Sequence, residues 1–137
     1  MAAFVFLCNI DTEAECITLS MFGTPQGQVY HDHHSKVMVG DQLFLYNYDT
    51  GQFKGPFLAL TGCKGELVKG AFRKAGIRAV HHVRVRPDSA FKVPLTADDL
   101  SEPGLLREAP KIGLVPPASL DAAQTEIILS AFQRKNS

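Results

Sequence analysis

The amino-acid sequence predicts a single α+β domain over residues 1–137. This length fits one domain, and a hydrophobic content of 45% is sufficient for a buried core. The clearest element is a β-hairpin over residues 42–61, where two apolar runs flank a turn. A segment with a 3.6-residue apolar period, residues 120–132, predicts a closing helix.

The first two elements are predicted to be a buried strand and a short helix. Ala3–Cys8 is almost entirely apolar, which is typical of a central strand. Thr12 and Glu15 have the spacing of a capping box, in which two side chains satisfy the first backbone N–H groups of a helix. The helix is expected to stop at Gly23, before Pro25.

The hairpin is predicted to carry an aromatic stripe. Because side chains alternate along a strand, Phe44, Tyr46 and Tyr48 share one face, and the leucines between them share the other. Gly51 can adopt the positive φ that a tight turn needs, and Gly55, before a proline, predicts a bulge or an edge position.

Four further elements follow from the residue pattern. Residues 26–36 are polar and predict a loop, residues 66–75 predict a helix, and residues 79–86 predict a strand. Residues 87–117 are rich in Pro, Asp and Ser and are expected to wrap the sheet. Ser119 is predicted to cap the final helix.

Composition excludes several classes of protein. The three cysteines are widely spaced and form no Cys-x-x-Cys pair, which argues against a disulfide framework or a structural zinc site. A reducing, cytoplasmic location is therefore the expectation. No apolar run approaches the roughly 18 residues of a membrane span, so no membrane partner is expected.

The charges are segregated along the chain although the formal net charge is zero. Between Lys54 and Lys92 there are nine basic and two acidic residues, a net charge of +7 that the rest of the chain balances. This distribution predicts either one basic face or charges scattered over the folded surface.

Several motifs occur in an order that resembles the plant development and cell death (DCD) domain. They are FLCN (residues 6–9), FGTP (22–25), GDQLFLYNY (40–48), FKGPF (53–57) and HVRVR (82–86). Together with the closing helix, the resemblance covers roughly residues 4–132, nearly the whole chain.

The resemblance implies a fold and two kinds of function. The DCD domain is similar to the PUA-like group, which includes the YTH, EVE and ASCH domains. It therefore implies a mixed β-barrel or strongly curved sheet with flanking helices. Several of those relatives bind RNA or modified bases, so a nucleic-acid partner, RNA or DNA, is expected. Plant DCD proteins are also described in stress and cell-death responses, which implies the alternative of a protein-interaction domain.

A site for a base, modified or flipped out, needs aromatic faces and amide groups. Tyr46 and Tyr48 supply the aromatic faces, and Asn9 and Asn47 are amides near strand ends, where each offers a donor and an acceptor. These four residues are the predicted base-binding set. The alternative is that the tyrosine stripe is core and that the asparagines satisfy backbone groups.

A second set of residues is predicted to bind phosphates. All of its members are basic and lie in the positive segment: Lys69, Arg73, Lys74, Arg84 and Arg86. The alternative is an ordinary solvated sheet face.

The histidines are the only concentration of groups suited to catalysis or metal binding. His31 and His33 reach one ion if the chain is extended, with a third ligand from Asp32 or His82. Solvated loop histidines are commoner, and no catalytic motif is recognisable. The sequence therefore predicts a non-enzymatic protein without a metal or another cofactor.

Overall fold

The computed structural model of the chain describes residues 2–25, 29–72, 79–88, 90–109 and 112–137. It contains eight strands and four helices in the described residues, including two runs of three consecutive strands, as expected for the predicted α+β class. In chain order they are β1 (Ala3–Cys8), α1 (Glu13–Leu19), β2 (Met21–Pro25), α2 (Val29–His34), β3 (Gln42–Asn47), β4 (Gln52–Ala59), β5 (Ala79–Pro87), α3 (Ala97–Ser101), β6 (Arg107–Ala109), β7 (Gly113–Val115), β8 (Ser119–Leu120) and α4 (Ala122–Asn136).

Six strands form one curved sheet, in the order β2-β5-β4-β3-β1-β8. β1 and β3 run parallel, whereas the other neighbours in this sheet are antiparallel. β2 also contacts β1, although three strands separate them in the sheet order, so the sheet curls toward a barrel. This curvature confirms the predicted fold class. Within the described part of the chain, no helix has the length and apolar character needed to cross a bilayer.

Strand β3 separates two hydrophobic cores. Leu43 and Leu45 point into an inner core on the concave side, where they join residues of β1, β2 and β5. Phe44 and Tyr46 point into an outer core that α3, α4 and β7 cover. The predicted division of the strand into two faces is confirmed.

Helix α4 closes the outer core through Phe132, which is fully buried. The Phe132 ring lies 5.0 Å from Phe91, 6.0 Å from Phe53 and 6.2 Å from Phe44, centroid to centroid. Aromatic pairs at these separations add to the free energy of burial. This packing stabilises the helix that the apolar period of the segment predicts.

The turn of the hairpin is fixed by its own residues. The Asn47 side-chain carbonyl accepts hydrogen bonds from the backbone N–H groups of Asp49 (2.9 Å) and Thr50 (3.2 Å). Gly51 has φ +73°, as predicted for the turn. The β3–β4 register shifts between Leu43 and Leu45, opposite Gly55, which confirms the bulge.

One predicted capping contact and two predicted helix boundaries were wrong because local capping signals competed, although Thr12 is the N-cap residue of α1 as predicted. Thr12 makes no side-chain cap for α1, since its hydroxyl bonds Asn9 instead. Helix α1 ends at Leu19 rather than Gly23, because Ser20 adopts a left-handed conformation with φ +50°. Asp121, not Ser119, caps α4 and forms a capping box with Gln124.

Two predicted segments have a different structure. Residues 29–34 of the predicted loop form helix α2, because His34 packs its ring against the inner core. The described part of the helix predicted over residues 66–75 consists of bends and turns, since Gly70 and Phe72 have positive φ. Residues 73–75 lie outside the described residues.

Substituting Gly55 is expected to destabilise the fold, because its φ is +147° and a Cβ there would lie 2.6 Å from the Phe44 ring. Gly55→Ala should lower the free energy of unfolding by about 3 kcal/mol or more. Gly40, with φ +93° and open space around it, is the matched control, and Gly40→Ala should cost roughly 1–2 kcal/mol. Urea denaturation measures both; equal losses would show that contact with Phe44 is unimportant.

Candidate functional site

Asn9 and Tyr48, two of the predicted base-binding residues, are in contact at the end of β1. The Asn9 Nδ2 group donates a hydrogen bond to the Tyr48 hydroxyl at 3.2 Å, and both side chains are half-buried. The Asn9 side-chain carbonyl, Oδ1, accepts hydrogen bonds from the backbone N–H groups of Asp11 and Thr12, each at 2.9 Å. Asn9 therefore organises the entry to helix α1.

The other two residues of that set lie deeper. Tyr46 is 2% exposed in the outer core, where its hydroxyl lies 3.5 Å from the Leu114 carbonyl and burial raises its pKa. Asn47 is 1% exposed beneath the hairpin turn. In this conformation the Tyr46 ring offers no free face, and base binding by the four residues stays a prediction.

The described members of the predicted phosphate-binding set lie on or beside strand β5. Arg86 and Lys69 are exposed, and half-buried Arg84 donates a hydrogen bond to the Leu19 carbonyl at the end of α1 (2.8 Å). Arg84 and Arg86 alternate with Val85, so they share a face of β5. Arg73 and Lys74 lie outside the described residues. Phosphate binding stays a prediction.

His82 lies on the same strand and is fully buried by the preceding segment. Its Nδ1 atom accepts from the backbone N–H groups of Leu67 (3.0 Å) and Val68 (3.4 Å). Its own backbone N–H donates to the Gly65 carbonyl at 2.8 Å. Because Nδ1 accepts these bonds, the ring carries no proton on that nitrogen. His82 therefore holds residues 65–68 against β5.

Phe72 lies at the end of the same segment and contacts both α1 and β5. Its backbone N–H donates to the Glu15 carboxylate at 2.7 Å, and its ring meets His82 edge to face at 5.7 Å. The side chain is 3% exposed, and φ is +67°, which is costly for a bulky residue by roughly 1–2 kcal/mol.

No pattern in the sequence predicts the contacts among Glu15, Phe72 and His82. The sequence predicts a capping box for Glu15, a helix over residues 66–75 and a strand that contains His82. The unpredicted contact joins residues 57 positions apart, so no local pattern could have revealed it.

The described histidine side chains of α2, His33 and His34, contact strands of the sheet. His34 is buried, lies 2.6 Å from the Val5 carbonyl through Nε2, and stacks on Phe6 at 3.6 Å. His33 Nδ1 lies 3.0 Å from the Ser119 hydroxyl, which joins α2 to the edge strand β8. Among the described residues, no three His, Cys, Asp or Glu side chains are grouped to hold a metal ion. The His31 side chain lies outside the described residues.

The cysteine thiols are all free and buried. Burial raises the pKa of Cys16 and of Cys63 to about 12, and it raises that of Cys8 as well. Desolvation disfavours the thiolate, which explains the direction. None of the three therefore has the character of a catalytic nucleophile.

Comparison with known proteins gives matches of sequence and of fold. The family model described as the development and cell death domain matches residues 2–103. The DCD domain-containing protein NRP-B of Glycine max is 41% identical over 59 residues, which are 43% of this chain and 17% of that protein. The B2 protein of Daucus carota is 39% identical over 59 residues, 28% of its length. The chain thus matches less than a third of either relative.

The solved structures share the fold at low sequence identity. The YTH domain of the Zygosaccharomyces rouxii MRB1 protein, in complex with N6-methyladenosine RNA, has a TM-score of 0.62 and 15% identity; the match covers 96% of this chain and 86% of that one. The Mmi1 YTH domain has a TM-score of 0.63 and 13% identity, with 98% and 97% covered. A hypothetical protein from Leishmania major reaches 0.65 at 12% identity, with 100% and 98% covered. The likeness to YTH domains shows that the chain shares their fold, as the resemblance implied.

Removing the Asn9 side chain is expected to destabilise the protein, because it supplies the acceptor for the backbone before α1. Asn9→Ala should lower the free energy of unfolding by about 1 kcal/mol. Asn9→Asp keeps the acceptor oxygen and should lose less. Chemical denaturation of the three proteins tests this; a larger loss in Asn9→Asp would contradict the capping role.

The raised thiol pKa values predict slow alkylation. With a pKa of about 12 for Cys16 and Cys63, only about one thiol in ten thousand is ionised at pH 8. An aromatic disulfide reagent at pH 8 should therefore titrate no thiol within minutes in the folded protein, and all three in urea. Raising the pH while the protein stays folded should accelerate the reaction; rapid reaction at pH 8 would contradict the burial.

Proposed function

We propose that this chain, which belongs to the development and cell death domain family, is a non-enzymatic binding module whose ligand is nucleic acid. The observation that carries the proposal is its fold. A YTH domain solved with N6-methyladenosine RNA has the same fold over 96% of this chain. A second solved YTH domain in complex with RNA matches 99% of it at a TM-score of 0.61 and 13% identity. Since a shared fold is analogy, the ligand needs a direct test.

The distribution of charge supports a polyanionic ligand. Exposed Arg86 and half-buried Arg84 lie on β5, and exposed Lys69 lies in the segment that packs against this strand. Single-stranded nucleic acid is bound by cations that follow its backbone and by rings on which bases stack. We assign the phosphate contacts to these three residues, with Arg73 and Lys74 completing the predicted set.

The four residues of the predicted base-binding set lie at two depths, and we propose a different role for each pair. Asn9 and Tyr48 are half-buried and hydrogen-bonded to each other, so their outer edges are within reach of a ligand. Tyr46 and Asn47 are buried and would act by fixing the strand and turn that carry Tyr48. RNA is the favoured ligand, because the YTH neighbours are solved with it, and a modified or flipped base is the finer form of this proposal.

The cytoplasm is the proposed location. All three cysteines are free and buried, and none lies in a disulfide. Free thiols persist in a reducing compartment, which supports this choice.

A second candidate function is protein interaction, as in stress and cell-death signalling. The observation that favours it is an apolar patch of Met38, Val39 and Leu60, which are 70%, 69% and 44% exposed. A backbone hydrogen bond from Gly40 to Ala59 brings the two segments together. Exposed patches of this kind mark interaction sites. Two results together would favour this candidate. An oligonucleotide titration would show no binding, and the wild-type protein would capture a protein partner that the Met38→Asp variant does not capture.

Binding to a single-stranded RNA 12-mer should be measurable by fluorescence anisotropy and should weaken as salt rises. Replacing Lys69 or Arg86 by Gln should weaken binding about three- to tenfold and reduce the salt slope by about 0.7 per lost phosphate contact. Arg107→Gln is the matched control, since Arg107 is exposed but lies outside the basic segment.

A single-stranded DNA 12-mer and an RNA 12-mer that contains N6-methyladenosine are measured in the same assay. The first distinguishes DNA from RNA as the ligand, and the second tests whether a modified base is preferred. Absence of binding at low salt, or binding indifferent to salt, would contradict a nucleic-acid ligand. An equal effect of Arg107→Gln would contradict the assigned basic face.

A further inference from the structure

We propose that residues 65–72 form a plug, and that the Phe72 ring occupies a position that takes a nucleobase bearing an exocyclic amino group. This inference rests on the proposed nucleic-acid function and adds a base position to the contacts at Asn9 and Tyr48. The plug is defined by its residues 65–72, which join β4 to the undescribed segment before β5.

The groups around Phe72 are those that recognise an amino-substituted ring. Its backbone N–H donates to the Glu15 carboxylate at 2.7 Å, while its ring meets the His82 ring edge to face at 5.7 Å and 87°. Adenine, cytosine and guanine also combine a planar ring with an N–H donor. Uracil has no amino group, and its single N3–H donor lies between two carbonyl oxygens that a carboxylate repels. The contacts that hold Phe72 therefore favour an amino-bearing base over uracil.

The plug has features of a segment that can be displaced. Phe72 keeps a left-handed backbone with φ +67° that its bulky side chain disfavours, so release relieves strain. Within the plug, the secondary structure is limited to bends, turns and one bridge between Gly65 and His82. Leu67 is 45% exposed and Lys69 is exposed, whereas Ala71 and Phe72 belong to the inner core and Val68 packs against it. Displacing the plug therefore exposes these three side chains, a cost that the bound base has to offset.

Basic residues lie on the two segments that meet at this position, the plug and β5. His82, Arg84 and Arg86 occupy alternate positions of β5 and share one face of the strand. The His82 ring that contacts Phe72 therefore lies on the same face as two arginines. Lys69 lies on the plug itself. A nucleotide whose base replaced the Phe72 ring would thus have basic side chains on both adjoining segments to bind its phosphates, as binding of single-stranded nucleic acid requires.

The first test removes the Phe72 ring by a substitution that the local backbone conformation tolerates. Phe72→Gly removes the ring, and glycine accepts φ +67°. Affinity for an adenosine RNA 12-mer should rise about five- to tenfold, since the competing side chain is gone. Val93→Gly, at a 43% exposed position outside the plug, is the matched control and should leave affinity unchanged. Adding Glu15→Ala to Phe72→Gly should abolish the preference for adenosine over uridine 12-mers.

The second test uses the wild-type protein and does not depend on a variant folding. Hydrogen exchange at the Phe72 amide, which is bonded to Glu15, should become several-fold faster when adenosine RNA saturates the protein, because the base displaces the plug. A ligand that merely covered the closed plug would slow this exchange or leave it unchanged.

The outcomes separate this inference from the proposed function. Tighter binding by Phe72→Gly with faster Phe72 exchange in the wild type supports the plug. Salt-dependent binding by the wild type, with unchanged or weaker binding by Phe72→Gly or with slowed exchange, overturns the plug and leaves the nucleic-acid proposal standing. Absence of RNA binding by both proteins at low salt overturns the two together.

Discussion

Strand β3 lies between two hydrophobic cores, and the position of almost every other element follows from which core it covers. Because successive side chains of a strand point to opposite faces, Leu43 and Leu45 pack inside the curved sheet while Phe44 and Tyr46 pack outside it. A register shift of one residue would exchange the two sets. The tight turn held by Asn47 and the bulge at Gly55 prevent such a shift by fixing both ends of the pairing.

The outer core also limits where a ligand can bind. Phe132 of α4 lies against the aromatic side chains of β3 and β4, so this face of the sheet is closed by the chain itself. The side of β2 and β5 is covered differently. There α1 and a short irregular segment bury His82 and Phe72 through a few backbone N–H groups that donate to a carboxylate and an imidazole. Ala71 and Phe72 of that segment also pack into the inner core, so this cover combines polar contacts with apolar burial.

The difference between the predicted and observed boundaries has one recurring cause. Ser, Thr, Asp and Asn compete for the same unpaired N–H groups, and the geometry of the preceding chain selects among them. Asn9 took the role expected of Thr12, and Asp121 took that of Ser119. Strand Ala3–Cys8, the hairpin and the strand ending near Pro87 were predicted correctly, because their apolar runs are long and their turn signals are strong.

The sequence by itself determined the α+β class, the hairpin with its two faces and the family motifs, since these depend on residues near one another in the chain. Only the tertiary structure decided that the Tyr46 face is core, that His34 packs inside, and that Glu15 reaches the backbone of Phe72. The hydrophobic periodicity of the sequence predicts which face of its strand or helix a side chain occupies. The elements that cover that face come from distant parts of the chain, so local patterns do not predict them. For the same reason, the candidate base position at Phe72 has no signature in the sequence.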